Sequence, residues 1–349
     1  ELYRLIINKG SSTSTTAQFN CDFNLNGLAN GTAIDKALLL KNGLFIVNNS
    51  GVDFNLTTGG EHFSIPSTSG LEMRLGTAHA NGTSGINLDG LLRVSGGTVD
   101  MSGGDNPIVY SASGNATIEV TPGAILTVGG QIRRNTTTTE GILKYNQSGG
   151  TVVVGNNSAT VSNRGVFEVL NDGSSFTLTG GNFYIARQQN NPTIASFYFD
   201  PKTVNINTTA INIGHTSTPA SQVFGIYAGK EIPQLTINGT GNPTAKLEIV
   251  PATITGLLVS SGAMFDANGL DLNIKGNMTC SGSFIPNGNT TYFSGTNNQT
   301  ITGNGTNFTF YNLTKTKSNN LTLTIGNTSL IVTNKLDLQK GTFTDNSYS

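Results

Sequence analysis

The chain has 349 residues, among them 44 Gly, 48 Thr, 42 Asn and 29 Ser, and its 39 charged residues nearly cancel to a net charge of −1. Being 36% hydrophobic and close to neutral, it does not have the composition of a disordered segment; Thr, Asn and Gly are poor helix formers, so an all-helical fold is excluded. The charge balance also argues against nucleic acid, which demands concentrated Lys and Arg, and no run of about 18 apolar residues offers a transmembrane helix.

The opening residues ELYRLIINKG carry neither Met nor the basic-then-apolar layout of a signal peptide, so the chain is expected to be a processed product or a segment of a longer protein. Phe19, Cys21, Phe23 and Leu25 alternate with polar residues, which predicts a buried structural thiol at Cys21. Residues 32–43 break the alternation: Thr32 as an N-cap, Ile34, Ala37, Leu38 and Lys41 at helical spacing and Gly43 as a stop fit a short helix or decorated loop, while Leu38-Leu39-Leu40 fits a strand equally well.

From there, period-two alternation runs to the end of the chain. Clear cases are Val52-Asp53-Phe54-Asn55-Leu56, Val204-Asn205-Ile206-Asn207, Leu270-Asp271-Leu272-Asn273-Ile274 and Leu321-Thr322-Leu323-Thr324-Ile325. Cys280 shares parity with Ile274 and Met278 and is expected to be a second buried thiol. The punctuation is Ser95-Gly96-Gly97, Ser102-Gly103-Gly104, Ser148-Gly149-Gly150 and Thr179-Gly180-Gly181, in place of the two-residue Asn-Gly or Asp-Gly turns that join hairpins. Short strands separated by such corners predict an all-β fold, a right-handed parallel β-helix forming a single elongated body over residues 1–349. In it, inward residues stack in axial columns and outward Thr and Asn form hydrogen-bonded ladders.

Self-similarity agrees. Leu92–Met101, Tyr145–Val154 and Phe176–Ile185 each carry a Gly-Gly pair between two alternating runs, and Glu1–Lys9 is echoed by Thr309–Lys317. The stretch Gly262–Met278, then Thr290–Gly295, Gln299–Ile301, Phe310–Thr314, Leu330–Leu338 and Lys340–Phe343 resembles, in order, the recurring unit of the large secreted β-helix surface proteins of Bacteroidota. Many of those are adhesins or gliding-associated proteins exported by the type IX secretion system. The resemblance implies an extracellular or cell-surface location, a surface glycan or protein ligand, and outer-membrane secretion or anchoring machinery as partner.

The chemistry-bearing residues are sparse. Asp53, Glu119, Glu168, Glu248, Asp271 and Asp337 each sit between two apolar neighbours and read as single outward acids, without the paired carboxylates of a glycosidase. His62, His79 and His215 have no metal-ligand spacing, and no metal or cofactor is expected. Lys315, Lys317, Lys335 and Lys340 read as a solvated surface. Tyr184, Phe197, Tyr198 and Phe199 flank the polar run Arg187-Gln188-Gln189-Asn190-Asn191-Pro192, which is the best candidate for a protruding binding loop, with Tyr184, Arg187 and Tyr198 as its candidate ligand-binding residues; an ordinary surface loop between strands is the competing reading. The expectation is therefore a non-enzymatic structural or adhesive segment. A polysaccharide lyase or hydrolase, or a secretion substrate bound to export machinery, stand as alternatives.

Overall fold

The computed structural model describes residues 2–25, 37–57, 61–80, 82–111, 114–135, 140–158, 161–305, 307–316 and 320–345. Among them there is no helix, and every strand pairing with an assigned register is parallel, giving a β-solenoid of about 13 turns. The chain divides into two compact units, one of Glu1–Ile194 with Asp200–Thr209, the other of Ala195–Phe199 with Ala210–Ser349.

In the first unit three columns of strands recur. One runs through Leu38–Val47, Ser69–Met73, Leu91–Val94, Asn115–Val120 and the first half of Ile142–Val154. A second runs through Asp53–Thr57, Thr77–Ala80, Thr98–Met101 and Ile125–Val128, and a third through Phe63–Ile65, Ile86–Leu88, Ile108–Tyr110 and Ile132–Arg134. The second unit repeats the plan, for example through Ile232–Ile237, Ala252–Val259, Met278–Cys280, Gln299–Thr302 and Thr322–Gly326.

Alternation explains the core. Because side chains reverse face at each residue, an in-register parallel stack carries one inward residue onto the next. Phe45, Leu71, Leu92, Ile118, Tyr145 and Phe176 form such a column, each with no exposed surface. In the second unit Ile232, Ile254, Ile274 and Phe293 do the same. The Gly-Gly corners also stack: Tyr145 pairs with Phe176 and Thr151 with Asn182, so one corner lies on the other. Gly181 has φ +82° and a Cβ there would stand 2.3 Å from the Gly150 carbonyl oxygen, which is why the second glycine of the pair recurs.

Outward ladders form as expected. Asn42 donates to Asn8 at 2.7 Å, Asn48 to Asn20 at 2.9 Å and Asn334 to Asn312 at 2.7 Å, across 34, 28 and 22 residues.

Three expectations change. Residues 32–36 lie outside the described residues, and from Leu38 the chain is the strand Leu38–Val47. Cys21 is exposed, because the strand Thr16–Phe19 ends before it and face parity does not carry through the irregular backbone beyond. Lys315 is fully buried: the register shifts between Phe310 and Asn312, so that Leu313 and Lys315, the register partners of Thr291 and Phe293, take the inward face, and the ammonium donates to the Lys340 carbonyl. Cys280 is buried and burial pushes its thiol up to about 12. Iodoacetamide at mildly alkaline pH is therefore expected to label Cys21 in the native protein and Cys280 only after unfolding, as peptide mass spectrometry would report.

Candidate functional site

Stacking brings together charges that are distant in sequence. Glu72, Arg93 and Glu119 are register partners in successive coils. Arg93 binds Glu119 at 2.5 Å and Glu72 at 3.2 Å, while Arg74 at 2.6 Å and the Ser95 hydroxyl at 2.9 Å also donate to Glu72. Burial pushes the Glu72 carboxyl up, but these hydrogen bonds and the Arg74 charge outweigh it and hold its pKa below the ordinary value. A depressed carboxylate contributes stability that is present above its unfolded pKa, about 4.3, and is lost as pH falls through the folded value. Calorimetric melting temperature is thus expected to drop more steeply on acidification below about pH 4.3 in the parent protein than in Glu72→Gln.

Glu168 is not an outward acid. It is 1% exposed, accepts from Arg134 Nε at 3.0 Å and the Gly165 amide at 2.8 Å, and faces Arg164 at 3.9 Å. The loop before it folds over the strand start, so Val166–Val169 are buried on both faces and alternation does not report orientation there. The remaining single acids also find partners. Asp53 meets His79 at 3.1 Å, Glu248 meets Lys246 at 3.0 Å and Asp337 meets Lys335 at 3.1 Å. His62 accepts the Gly85 amide at 2.8 Å, and the His215 ring lies 2.9 Å from the Ser217 hydroxyl. Among the described residues no group of three or more His, Cys, Asp or Glu could hold a metal ion.

The run 187–192 is tied to the preceding loop at several points, with Asn190 and Pro192 exposed. Gln189 is 2% exposed and donates to the Val161 carbonyl at 3.0 Å and to that of Arg164, and Asn191 donates to the Ser162 carbonyl at 3.0 Å. Arg187 donates to the Asn156 carbonyl at 3.2 Å. Tyr184 and Arg187 belong to the first unit and Tyr198 to the second, where Tyr198 sits 5.4 Å from the Tyr227 ring. A buried amide can satisfy several turn carbonyls at once, a role that composition alone does not distinguish from an exposed polar loop.

Two grooves in the second unit are better candidates. The first, about 330 Å³, is lined by Pro251, Thr253, Asp271, Asn273, Tyr292 and Ser294 among others. Thr253, Asn273 and Tyr292 are register partners in successive coils. One Asp271 oxygen accepts the Thr290 amide at 3.0 Å, and the Asn273 carbonyl oxygen accepts the Ser294 hydroxyl at 2.5 Å. The second Asp271 oxygen and the Asn273 NH₂ have no protein partner among the described residues. The second groove, about 380 Å³, is lined by Gln234, Thr255, Leu258, Lys275, Asn277 and Asn298 among others. Its Lys275 is bound by Glu231 at 2.5 Å. Burial raises the Glu231 pKa, yet the bonds from Lys275 and Thr255 bring it below the ordinary value. Alternation places Asp271, Asn273 and Tyr292 on an outward face; it is the coil register, invisible in sequence, that makes them neighbours.

No protein-family model matches this chain, and neither a curated protein nor a solved structure does.

Proposed function

We propose that the chain is a non-enzymatic, extracellular structural or adhesive β-helix segment of a large bacterial cell-surface protein, exported by type IX secretion. The observation that carries this reading is how the grooves are lined. Glycoside hydrolysis needs two carboxyl groups flanking one bond, whereas among the described residues the first groove is lined by one carboxylate, Asp271, and the second by none. Elsewhere Glu72, Glu119 and Asp53 meet Arg93 and His79 across successive coils, and Glu248 and Asp337 meet a lysine two residues away on the same strand, which suits a surface whose charges serve the scaffold. The resemblance of 262–343 to secreted surface repeats supports the habitat.

The rival reading, a polysaccharide lyase or hydrolase, draws on Glu231 and Lys275, an acid and an amine in contact beside the second groove. Incubation with a broad polysaccharide panel and chromatography of the products separates the two. No new reducing ends or unsaturated products are expected; turnover abolished by Glu231→Gln would overturn the proposal. Co-purification with outer-membrane proteins would favour instead a secretion substrate held by its export machinery.

A further inference from the structure

We infer that the groove around Tyr292 binds a neutral carbohydrate chain. This inference rests on the adhesive reading above and names its ligand class. The surface offers three kinds of group in one groove, which Pro251 also lines: a half-buried tyrosine ring, a carboxylate oxygen with spare acceptor capacity on Asp271, and an amide NH₂ with spare donors on Asn273. A sugar ring has one apolar C–H face and a rim of hydroxyls that each donate and accept. An apolar ring with a planar acceptor and a planar donor two residues apart on one strand matches that pattern.

The same observations remove the other ligand classes. An anionic ligand, whether phosphate, uronate or nucleic acid, needs a cation, and among the described residues the one charged group lining this groove is the Asp271 carboxylate. A peptide adding as a strand needs a free sheet edge, but Leu272–Ile274 is paired on both sides, with Ala252–Val259 and Thr290–Phe293, and Thr290–Phe293 is paired in turn with Asn307–Thr316. Calcium needs several oxygen ligands of high charge, and among the described residues Asp271 is the one carboxylate lining the groove. Pocket size fits: about 330 Å³ lies at the lower end of the range for small ligands, about 300–1,000 Å³, enough for one or two sugar rings in an open cleft. The rigid platform matters too. Asn273 and Tyr292 project from paired strands and Asp271 directly precedes one, so little ordering cost is charged against a weak ligand.

The test is isothermal titration of the intact chain with neutral gluco-, xylo-, manno- and galacto-oligosaccharides, with oligogalacturonate as the charged comparison, and product analysis on the same samples. At least one neutral probe is expected to bind. Tyr292→Ala is expected to weaken it about tenfold or more, Tyr292→Phe to keep it within about threefold, and Asp271→Asn to weaken it. Because Tyr292→Phe preserves the ring, it shows whether loss in the alanine variant reflects the missing contact or a damaged fold. Binding to no neutral probe, binding unchanged in Tyr292→Ala, or a preference for oligogalacturonate abolished by Tyr292→Ala would each overturn the inference while leaving the scaffold reading intact. Binding with turnover would instead overturn the non-enzymatic reading and leave the site standing.

Discussion

Glu168→Gln is expected to destabilise the first unit by about 3–5 kcal/mol, because it removes the carboxylate that the buried Arg134 and Arg164 face. The carboxylate is 1% exposed and the two guanidinium side chains 9% and 5%, so water cannot take over its role. It also accepts the Arg134 and Gly165 amides, tying a loop to a strand in the next coil. The contrast is Lys202 with Asp172, a 3.1 Å pair with side chains 62% and 89% exposed, whose disruption is expected to change stability by less than about 1 kcal/mol. Urea unfolding followed by circular dichroism checks both. A Glu168→Gln midpoint close to that of the parent would show that the ion cluster is solvated in solution.

Tyr145→Ala carries the second large effect, about 3–5 kcal/mol for removing a buried aromatic side chain. Its ring stacks on Phe176 at 4.9 Å and 10°, and meets Phe167 and Phe183 edge-on at 5.7 and 5.4 Å. The hydroxyl donates to Gln147 Oε1 at 2.6 Å. Tyr145→Phe keeps the stack and strands the Gln147 acceptor, so it should cost about 1–3 kcal/mol. Each coil of a solenoid rests on its immediate neighbours; hydrogen exchange in the alanine variant is therefore expected to rise first in Ile142–Val154 and Phe167–Ile185. A uniform rise through both units would contradict that picture of local coupling.

Much of this architecture is legible in the sequence because it rests on short-range pattern. Alternation in Leu270–Ile274 and Leu321–Ile325 reports the inward face directly, and the corners at Ser95-Gly96-Gly97 and Ser102-Gly103-Gly104 mark where strands end, whereas Ser148-Gly149-Gly150 lies within the strand Ile142–Val154. Cys280 was readable for the same reason. What alternation does not report is register: whether Glu72 meets Arg93, or Asn273 meets Tyr292, depends on corner lengths that vary from coil to coil. It also fails where the strand stops, as at Cys21, where a loop covers the outer face, as at Glu168, and where a bulge shifts parity, as at Lys315. In the polar run 187–192 the sequence is silent on burial for another reason. Gln189 is polar because it satisfies buried turn carbonyls, and an amide serving that purpose is the same in sequence as one facing solvent.

Everything above depends on the parallel register that sets residues of successive coils side by side, and engineered disulfides test it at the groove itself. Cα atoms of register partners in adjacent strands are about 5 Å apart, within the disulfide range of about 4.4–6.8 Å, whereas a diagonal pair two residues off lies at about 7–8 Å. In a Cys21→Ser background, Asn273→Cys with Tyr292→Cys should form a bond under mild oxidation, and Asn273→Cys with Thr290→Cys should remain reduced, as read by peptide mass mapping. Closure of the second pair, or failure of the first in a folded protein, would contradict the register and the groove built on it.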